Sequence, residues 1–336
     1  MAVTRKTSSN GIEQEGPSPS LSVIIPVFNS EHCIGDLVAA VVSEAGARYD
    51  PLEIVLVNDG SADGSHEVIL DLIEGPLGSS IKYVQLARNF GEHNAVMTGL
   101  RYCGGEIAVI IDDDFQNPPS EITALVEELS AGHDVVYSHY EKKRHSLFRN
   151  MGSKLNDIAA GVLLKKPRGL YLSSFKAMNR FLIDELISYE GPYPYVDGLI
   201  LRSTDSIGTK LCKHEERSAG QSNYNLRKLI RLWLNMSTSG SFAPLRLGAY
   251  LGLFMAMVGL GLAVFFSAAW YFGGIISQTI PKGWASIIVT TTIFSGIQLF
   301  VLGMTGEYVG RLYMSQNQQP QAVVRRVIKG GAHEDG

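Results

Sequence analysis

Glu106-Ile107-Ala108-Val109-Ile110-Ile111-Asp112-Asp113-Asp114-Phe115-Gln116-Asn117-Pro118-Pro119 passes directly from an apolar run to three consecutive acids and then to a helix-start signal. A strand from Glu106 to Asp112 that is nearly all apolar belongs inside a sheet covered on both faces. Pro118-Pro119-Ser120 then opens a helix. If the chain stays extended past the strand, side chains alternate, so Asp112, Asp114 and Gln116 share a face while Asp113 points away. Two carboxylates and an amide oxygen suit a hard divalent cation, Mg²⁺ or Mn²⁺, which keeps positions open for water and substrate phosphates. The competing account is a solvated acidic turn capping the Pro119 helix. Three adjacent acids repel one another without a cation, and this favours the metal.

Working outward, short apolar runs alternate with amphipathic stretches from Leu21 onward. Strands are expected at Leu21 to Val27, Leu52 to Asn58, Ile81 to Leu86, Glu106 to Asp112 and Asp134 to Ser138. Helices are expected from Glu31, Gly64, Glu92 and Pro119. The fold class is therefore α/β, with a mostly parallel sheet and helices on both faces. Ligands bind beyond the carboxyl ends of strands in such sheets. Those ends read Asn29, Asp59-Gly60-Ser61, Arg88-Asn89 and Asp112-Asp113-Asp114. Ser61, Asp63 and Gly64 taken alone are ordinary turn and cap residues. Four polar strand ends on one sheet edge point to a site.

Beyond this core the spacing predicts a helix from His145 to Leu164, an extended Tyr171 to Phe175, a helix from Asn179 to Tyr189 and a strand from Ile207 to Lys213. Leu226 to Leu234 places Arg227, Lys228 and Arg231 opposite Leu, Ile and Trp, the pattern of a helix lying at a membrane surface. Leu247 to Phe272 and Trp284 to Thr305 contain no Asp, Glu, Lys or Arg, and both exceed the roughly 20 residues needed to cross a bilayer. Arg246 precedes them and Arg311, Arg325, Arg326 and Lys329 follow, whereas the loop between carries only Lys282, so both termini are expected in the cytoplasm. The expected organisation is a disordered leader at 1–20, a catalytic domain at 21–225, an interfacial segment at 226–245, a transmembrane hairpin at 246–314 and a tail at 315–336.

A chain that is 45% hydrophobic and 18% charged is too apolar for an ordinary soluble enzyme. A net charge of −4 argues against nucleic acid as a partner. The 3 cysteines, Cys33, Cys103 and Cys212, form no zinc or disulfide framework, which fits a reducing compartment. Met1 to Ser20 has no apolar signal core.

Further segments extend the pattern. Val23-Ile24-Ile25-Pro26-Val27-Phe28-Asn29, Val57-Asn58-Asp59-Gly60-Ser61, Arg88-Asn89-Phe90-Gly91-x-His93, the acidic segment, Arg217-Ser218-Ala219-Gly220-Gln221-Ser222-Asn223-Tyr224 and Gly306-Glu307-Tyr308-Val309-Gly310-Arg311 occur in that order. Any one is common; six in this order are specific. From about Leu21 to Lys329 the chain resembles the metal-dependent GT-A glycosyltransferases of family 2. Within them it is similar to the polyprenyl-phosphate glycosyltransferases, including dolichol-phosphate mannose synthases and bacterial undecaprenyl-phosphate sugar transferases. Phe28 stands where Tyr is usual and Asn223 where Lys is usual. Many relatives also carry an Asp after the central helix, where this chain reads Gly169-Leu170-Tyr171.

The resemblance implies a nucleotide-sugar donor, most simply a UDP-sugar, held by Pro26, Phe28, Asn29, Glu31, Asp59, Arg88, Asp112 and Asp113, with Asp59 on the base. It implies Mg²⁺ or Mn²⁺ on Asp112, Asp114 and Gln116, and an acceptor phosphate near Arg217, Ser222 and Tyr224. Asp112, Asp114 and Arg217 are the expected catalytic groups. Asp197 is a candidate stand-in for the absent carboxylate, with a helix-capping role as the alternative. The expected reaction moves the sugar to a polyprenyl phosphate with inversion, in a multi-pass protein of the inner membrane and, by resemblance, a homo-oligomer such as a tetramer. A polysaccharide synthase and an inactive membrane-anchored nucleotide-binding scaffold are the rival expectations.

Overall fold

The computed structural model describes residues 19–140, 167–213 except 168 and 192, isolated positions between 250 and 268, and 284–330 except 318 and 319. The expected helix at 145–164, the Arg217 to Tyr224 segment, the interfacial segment and nearly all of the first apolar window lie outside the described residues.

The elements are β1 (Leu21–Val27), α1 (Ile34–Ala45), β2 (Leu52–Asn58), α2 (Ser65–Glu74), β3 (Ile81–Leu86), α3 (Glu92–Tyr102), β4 (Ile107–Ile110), α4 (Ile122–Ser130), β5 (Val135–His139), β6 (Lys176–Asn179), α5 (Arg180–Ile187), α6 (Val196–Ser203), β7 (Ile207–Leu211), α7 (Trp284–Gln316) and β8 (Val324–Lys329). The eight strands form one sheet in the order β7-β5-β6-β4-β1-β2-β3-β8. β4, β1, β2 and β3 run parallel, and β6 and β8 are antiparallel to their neighbours.

β1 shows why these residues make a central strand: all 7 of its residues are buried, and its two faces feed different cores. Val23, Ile25 and Val27 pack with Leu37 and Val41 of α1 and Leu125 of α4. Ile24 faces the other way and packs with Val96 and Leu100 of α3 and Leu182 of α5. Each fully buried aliphatic side chain contributes roughly 1.5–3 kcal/mol, so an apolar strand is stable only with helices on both sides.

The chain runs outward from β1 to β2 and β3, then returns to place β4 on the other side of β1. The switch point therefore falls between β1 and β4, where a crevice opens beyond their carboxyl ends. Phe28-Asn29 and the acidic segment emerge side by side there.

Several expected boundaries shift. The β4 ladder ends at Ile110, and residues 113–117 are turn and bend rather than extended chain. The stretch from Tyr171 to Phe175 is irregular, and the strand follows it as β6. α6 and β8 were not expected from the sequence. β8 joins the sheet antiparallel to β3, so residues set apart as a tail belong to the catalytic sheet.

α7 has 33 residues and carries exposed Ile287, Leu299, Leu302, Val309 and Leu312. Counted over the described residues alone, no helix is long and apolar enough to cross a membrane. The complete sequence of α7 nevertheless runs from Trp284 to Gly306 without an Asp, Glu, Lys or Arg.

Candidate active site

The first wall of the crevice is the loop after β1. Asn29 has φ +56°, a left-handed conformation that asparagine tolerates better than most residues. Its Oδ1 accepts from the Ala62 N–H at 2.8 Å and its own N–H donates to Ser61 Oγ at 3.1 Å, so the loops after β1 and β2 lock together. Phe28 and Asn29 are exposed toward solvent, whereas Pro26 is buried in β1 opposite Val57. The Glu31 carboxylate accepts from the Gly64 N–H at 2.6 Å at the start of α2. That contact gives Glu31 a bracing role between two loops.

Asp59 is 3% exposed, and its two oxygens accept from the Phe90 and Gly91 N–H groups at 2.7 and 2.9 Å. Burial raises its pKa, and those two hydrogen bonds oppose the rise. Asp59 thus holds the loop after β3, on which exposed Arg88 lies 4.7 Å over the Phe90 ring. Gly60 has φ +70°, and a Cβ there would lie 2.5 Å from Asn89 N, so only glycine lets these two loops approach.

The acidic segment closes the crevice, and its geometry corrects the alternation expected above. The chain turns at Asp113, Phe115 adopts φ +59°, and the Gln116 N–H folds back onto Asp114 Oδ1 at 3.1 Å. Strand alternation therefore does not carry Asp114 and Gln116 onto the face of Asp112. Asp112 and Asp113 do diverge. Asp113 turns toward the β1 loop, where its Oδ2 accepts from the Phe28 N–H at 3.0 Å and from the Ser30 hydroxyl. Asp112 faces the other side and accepts from the Ser174 hydroxyl.

Burial first, then the negative charges of Glu92, Asp114 and Asp113, push Asp112 up to about 7 against the Ser174 hydrogen bond. Burial likewise raises Asp113, with Ser30 and Phe28 opposing it. Among the described residues the side-chain charges that act most on Asp112 are all negative. Such a concentration of negative charge with oxygen donors fits a hard divalent cation. Among the described residues no three His, Cys, Asp or Glu side chains form a closed metal cluster. An open site shared with substrate phosphates needs fewer protein ligands than that.

Behind the acidic turn lies a hydroxyl network that sequence reading missed. Ser138 Oγ bonds Ser173 Oγ at 2.8 Å, Tyr140 OH lies 2.9 Å from Ser173 Oγ, and Tyr140 OH donates to buried Asn117 Oδ1. Single serines and tyrosines carry no sequence signal for such a network. Asp197 lies in the first turn of α6. It is 8% exposed, accepts from Tyr137 OH at 3.0 Å and pairs with Lys176. Both Tyr137 and Lys176 therefore engage the Asp197 carboxylate. Leu170, where relatives carry Asp, is 7% exposed and packs in the core beside α3. Arg217, Ser222 and Tyr224 lie outside the described residues.

Comparison with known proteins adds an independent line. Residues 22–187 match the model described as Glycosyl transferase family 2. An Edwardsiella ictaluri protein named undecaprenyl-phosphate 4-deoxy-4-formamido-L-arabinose transferase is 31% identical over 327 residues, covering 94% of this chain and 96% of its own. The Serratia proteamaculans protein of the same name is also 31% identical, covering 93% and 95%. A solved structure, glucosyl-3-phosphoglycerate synthase from Mycobacterium tuberculosis in complex with Mn²⁺ and UDP-glucose, is 20% identical, covers 64% of this chain and 75% of that one, and superposes with a TM-score of 0.47.

Proposed function

Because this chain belongs to glycosyl transferase family 2, we propose that it transfers a sugar from a nucleotide-sugar to a polyprenyl phosphate at a membrane. The observation that carries this is the end-to-end similarity to undecaprenyl-phosphate sugar transferases, 94% of this chain against 96% of theirs. The geometry of the crevice is consistent with it. The loops after β1, β2 and β3 would take the nucleotide, with Asp59 holding the Arg88 loop in place. Phe28 and Arg88 stand exposed at the mouth.

Asp112 and Asp114, with Gln116, would hold Mg²⁺ or Mn²⁺; when bound, such an ion supplies Lewis-acid neutralisation of the donor diphosphate. Asp113 keeps the β1 loop against the acidic turn, and Ser174 fixes the orientation of Asp112. A phosphate oxygen of the acceptor forms the new bond to the anomeric carbon as the bond from that carbon to the diphosphate breaks. The nucleoside diphosphate leaves and the configuration inverts. A phosphate monoester is largely dianionic at neutral pH, its second pKa being about 6, so no strong general base is required. That is compatible with a leucine at position 170 and with Asp197 tied to Lys176. Arg217, Ser222 and Tyr224 would meet the acceptor phosphate.

The acceptor stays at headgroup level, so the active site must be held at the membrane. The 226–245 segment and the 246–314 hairpin would do this, with the catalytic domain and both termini cytoplasmic. The decisive experiment supplies undecaprenyl phosphate and a panel of labelled nucleotide-sugars, the 4-deoxy-4-formamido-L-arabinose donor first. Radiolabel should pass into chloroform. If no donor in the panel gives organic-phase label, the lipid-acceptor reading fails.

A further inference from the structure

Gln321 lies between the long helix and the last strand, five positions beyond the end of α7, and it is only 4% exposed. Its Nε2 reaches both the Tyr189 and the Gly191 carbonyl oxygens at 2.8 Å. Its Oε1 is buried without a partner among the described residues. Reversing the amide would set that oxygen against two carbonyl oxygens, so the two carbonyls fix its orientation.

The neighbouring residues fasten the same stretch to a second loop. Ala87 N–H donates to Val323 O at 2.8 Å, and Arg325 reaches Ala87 O at 3.4 Å. Ala87 precedes the Arg88–Gly91 loop that Asp59 holds. Residues 321–325 therefore strap the Tyr189–Gly191 loop to the start of the loop after β3, directly after α7. The Tyr189–Gly191 loop also leads to Tyr195, whose ring meets His93 edge-on at 5.0 Å in the first turn of α3. Glu92 in that turn is one of the charges acting on Asp112.

We propose that Gln321 is a positioning residue: its amide pins the Tyr189–Gly191 loop to the exit of α7 and so sets the shape of the donor's sugar pocket. The pinning is read from the structure, whereas the pocket's occupant rests on the proposed transfer reaction. Gln321→Glu keeps the shape and removes both donors, and Gln321→Met removes them without adding a charge. Arg325→Ala loosens the strap at Ala87 alone.

The test uses full-length protein in lipid nanodiscs, with hydrogen exchange followed across residues 188–195 and transfer kinetics measured in parallel. Both Gln321 variants should exchange about tenfold faster in that segment, as expected for the loss of roughly one net hydrogen bond, with β1 and β2 unchanged. Donor KM should rise about tenfold while kcat stays within about twofold. Arg325→Ala should leave exchange at 188–195 at the wild-type rate. Unchanged exchange in both Gln321 variants overturns the proposal, as does faster exchange with unchanged KM. A wild-type protein that transfers no sugar defeats the proposed function instead, and faster exchange in the Gln321 variants would still uphold the brace.

Discussion

Asp112 and Asp113 are adjacent in sequence and serve opposite walls of the crevice, and substitution should separate them. Asp112→Asn and Asp114→Asn are expected to abolish Mn²⁺ binding, read by electron paramagnetic resonance, and to lower transfer by about 100-fold or more. Asp113→Asn should keep Mn²⁺ binding, because its side chain turns to the β1 loop, where the amide oxygen of asparagine can still accept from the Phe28 N–H. Loss of Mn²⁺ binding in Asp113→Asn would remove the distinction. The acids themselves were legible in the sequence. Their division was not, because it depends on a turn at residues 113–117 and on Ser30 and Ser174, which are distant in sequence. A second residue-scale test concerns Glu53, half-buried beside Lys82. Burial alone would raise its carboxyl, but hydrogen bonds from Lys82, the Gly104 N–H and Ser22 outweigh burial and hold it below its ordinary range. A folded pKa below the unfolded one contributes stability above the unfolded value, about 4.3, and loses it as pH falls through the folded value. Thermal melts from pH 7 to pH 3 should therefore show the wild type converging on Glu53→Gln in acid. A constant gap between the two across that range would rule the linkage out.

At the scale of elements, the sheet's centre was readable because buried parallel strands are nearly continuous apolar runs. β1, β2 and β3 match their expected bounds, while β4 stops short because its chain turns into the acidic segment. α3 illustrates how closely a helix must lie on such strands. Gly99 faces β1 and β2, and a Cβ there would collide with the Ile24 Cγ2 methyl and lie 3.3 Å from Val57 Cγ2. Ile24 is branched and fully buried, so it has little room to yield. Gly99→Ala should therefore destabilise by about 1–3 kcal/mol despite alanine's helix preference of roughly 1 kcal/mol. A stabilised variant in urea denaturation would show that α3 does not pack that tightly. Elements at the periphery escaped the sequence for physical reasons. α6 is only 8 residues long and follows Gly191-Pro192-Tyr193-Pro194, which reads as a chain break. β8, Val324-Arg325-Arg326-Val327-Ile328-Lys329, is a basic edge strand whose partner lies far away in sequence. Its cations resemble a flanking charge cluster, and its pairing with β3 leaves no local signal.

At the scale of the whole molecule, β8 constrains the membrane topology independently of charge counting. β1 to β7 precede both apolar windows and β8 follows them, yet all eight strands share one sheet. A sheet lies on one side of a bilayer, so any crossings made between Leu211 and Val324 must be even in number. On the proposed hairpin the charge-free windows 247–272 and 284–305 would supply two crossings, and the Lys282 loop would then lie on the far side from the catalytic domain. Had β8 been absent from the sheet, a single crossing by α7 with an exported tail would satisfy hydropathy nearly as well. The test places cysteines at Gly283 and at Asn317 and treats intact cells with a membrane-impermeant thiol reagent. Gly283→Cys should be labelled from outside. Asn317→Cys should be labelled only after the membrane is opened, together with the part of the chain that carries the native cysteines. Labelling of Asn317→Cys in intact cells would require β8 to leave the sheet and would overturn the hairpin. Protection at both positions would place the two apolar segments in one leaflet without crossing it, leaving the active site at the surface by a different anchor.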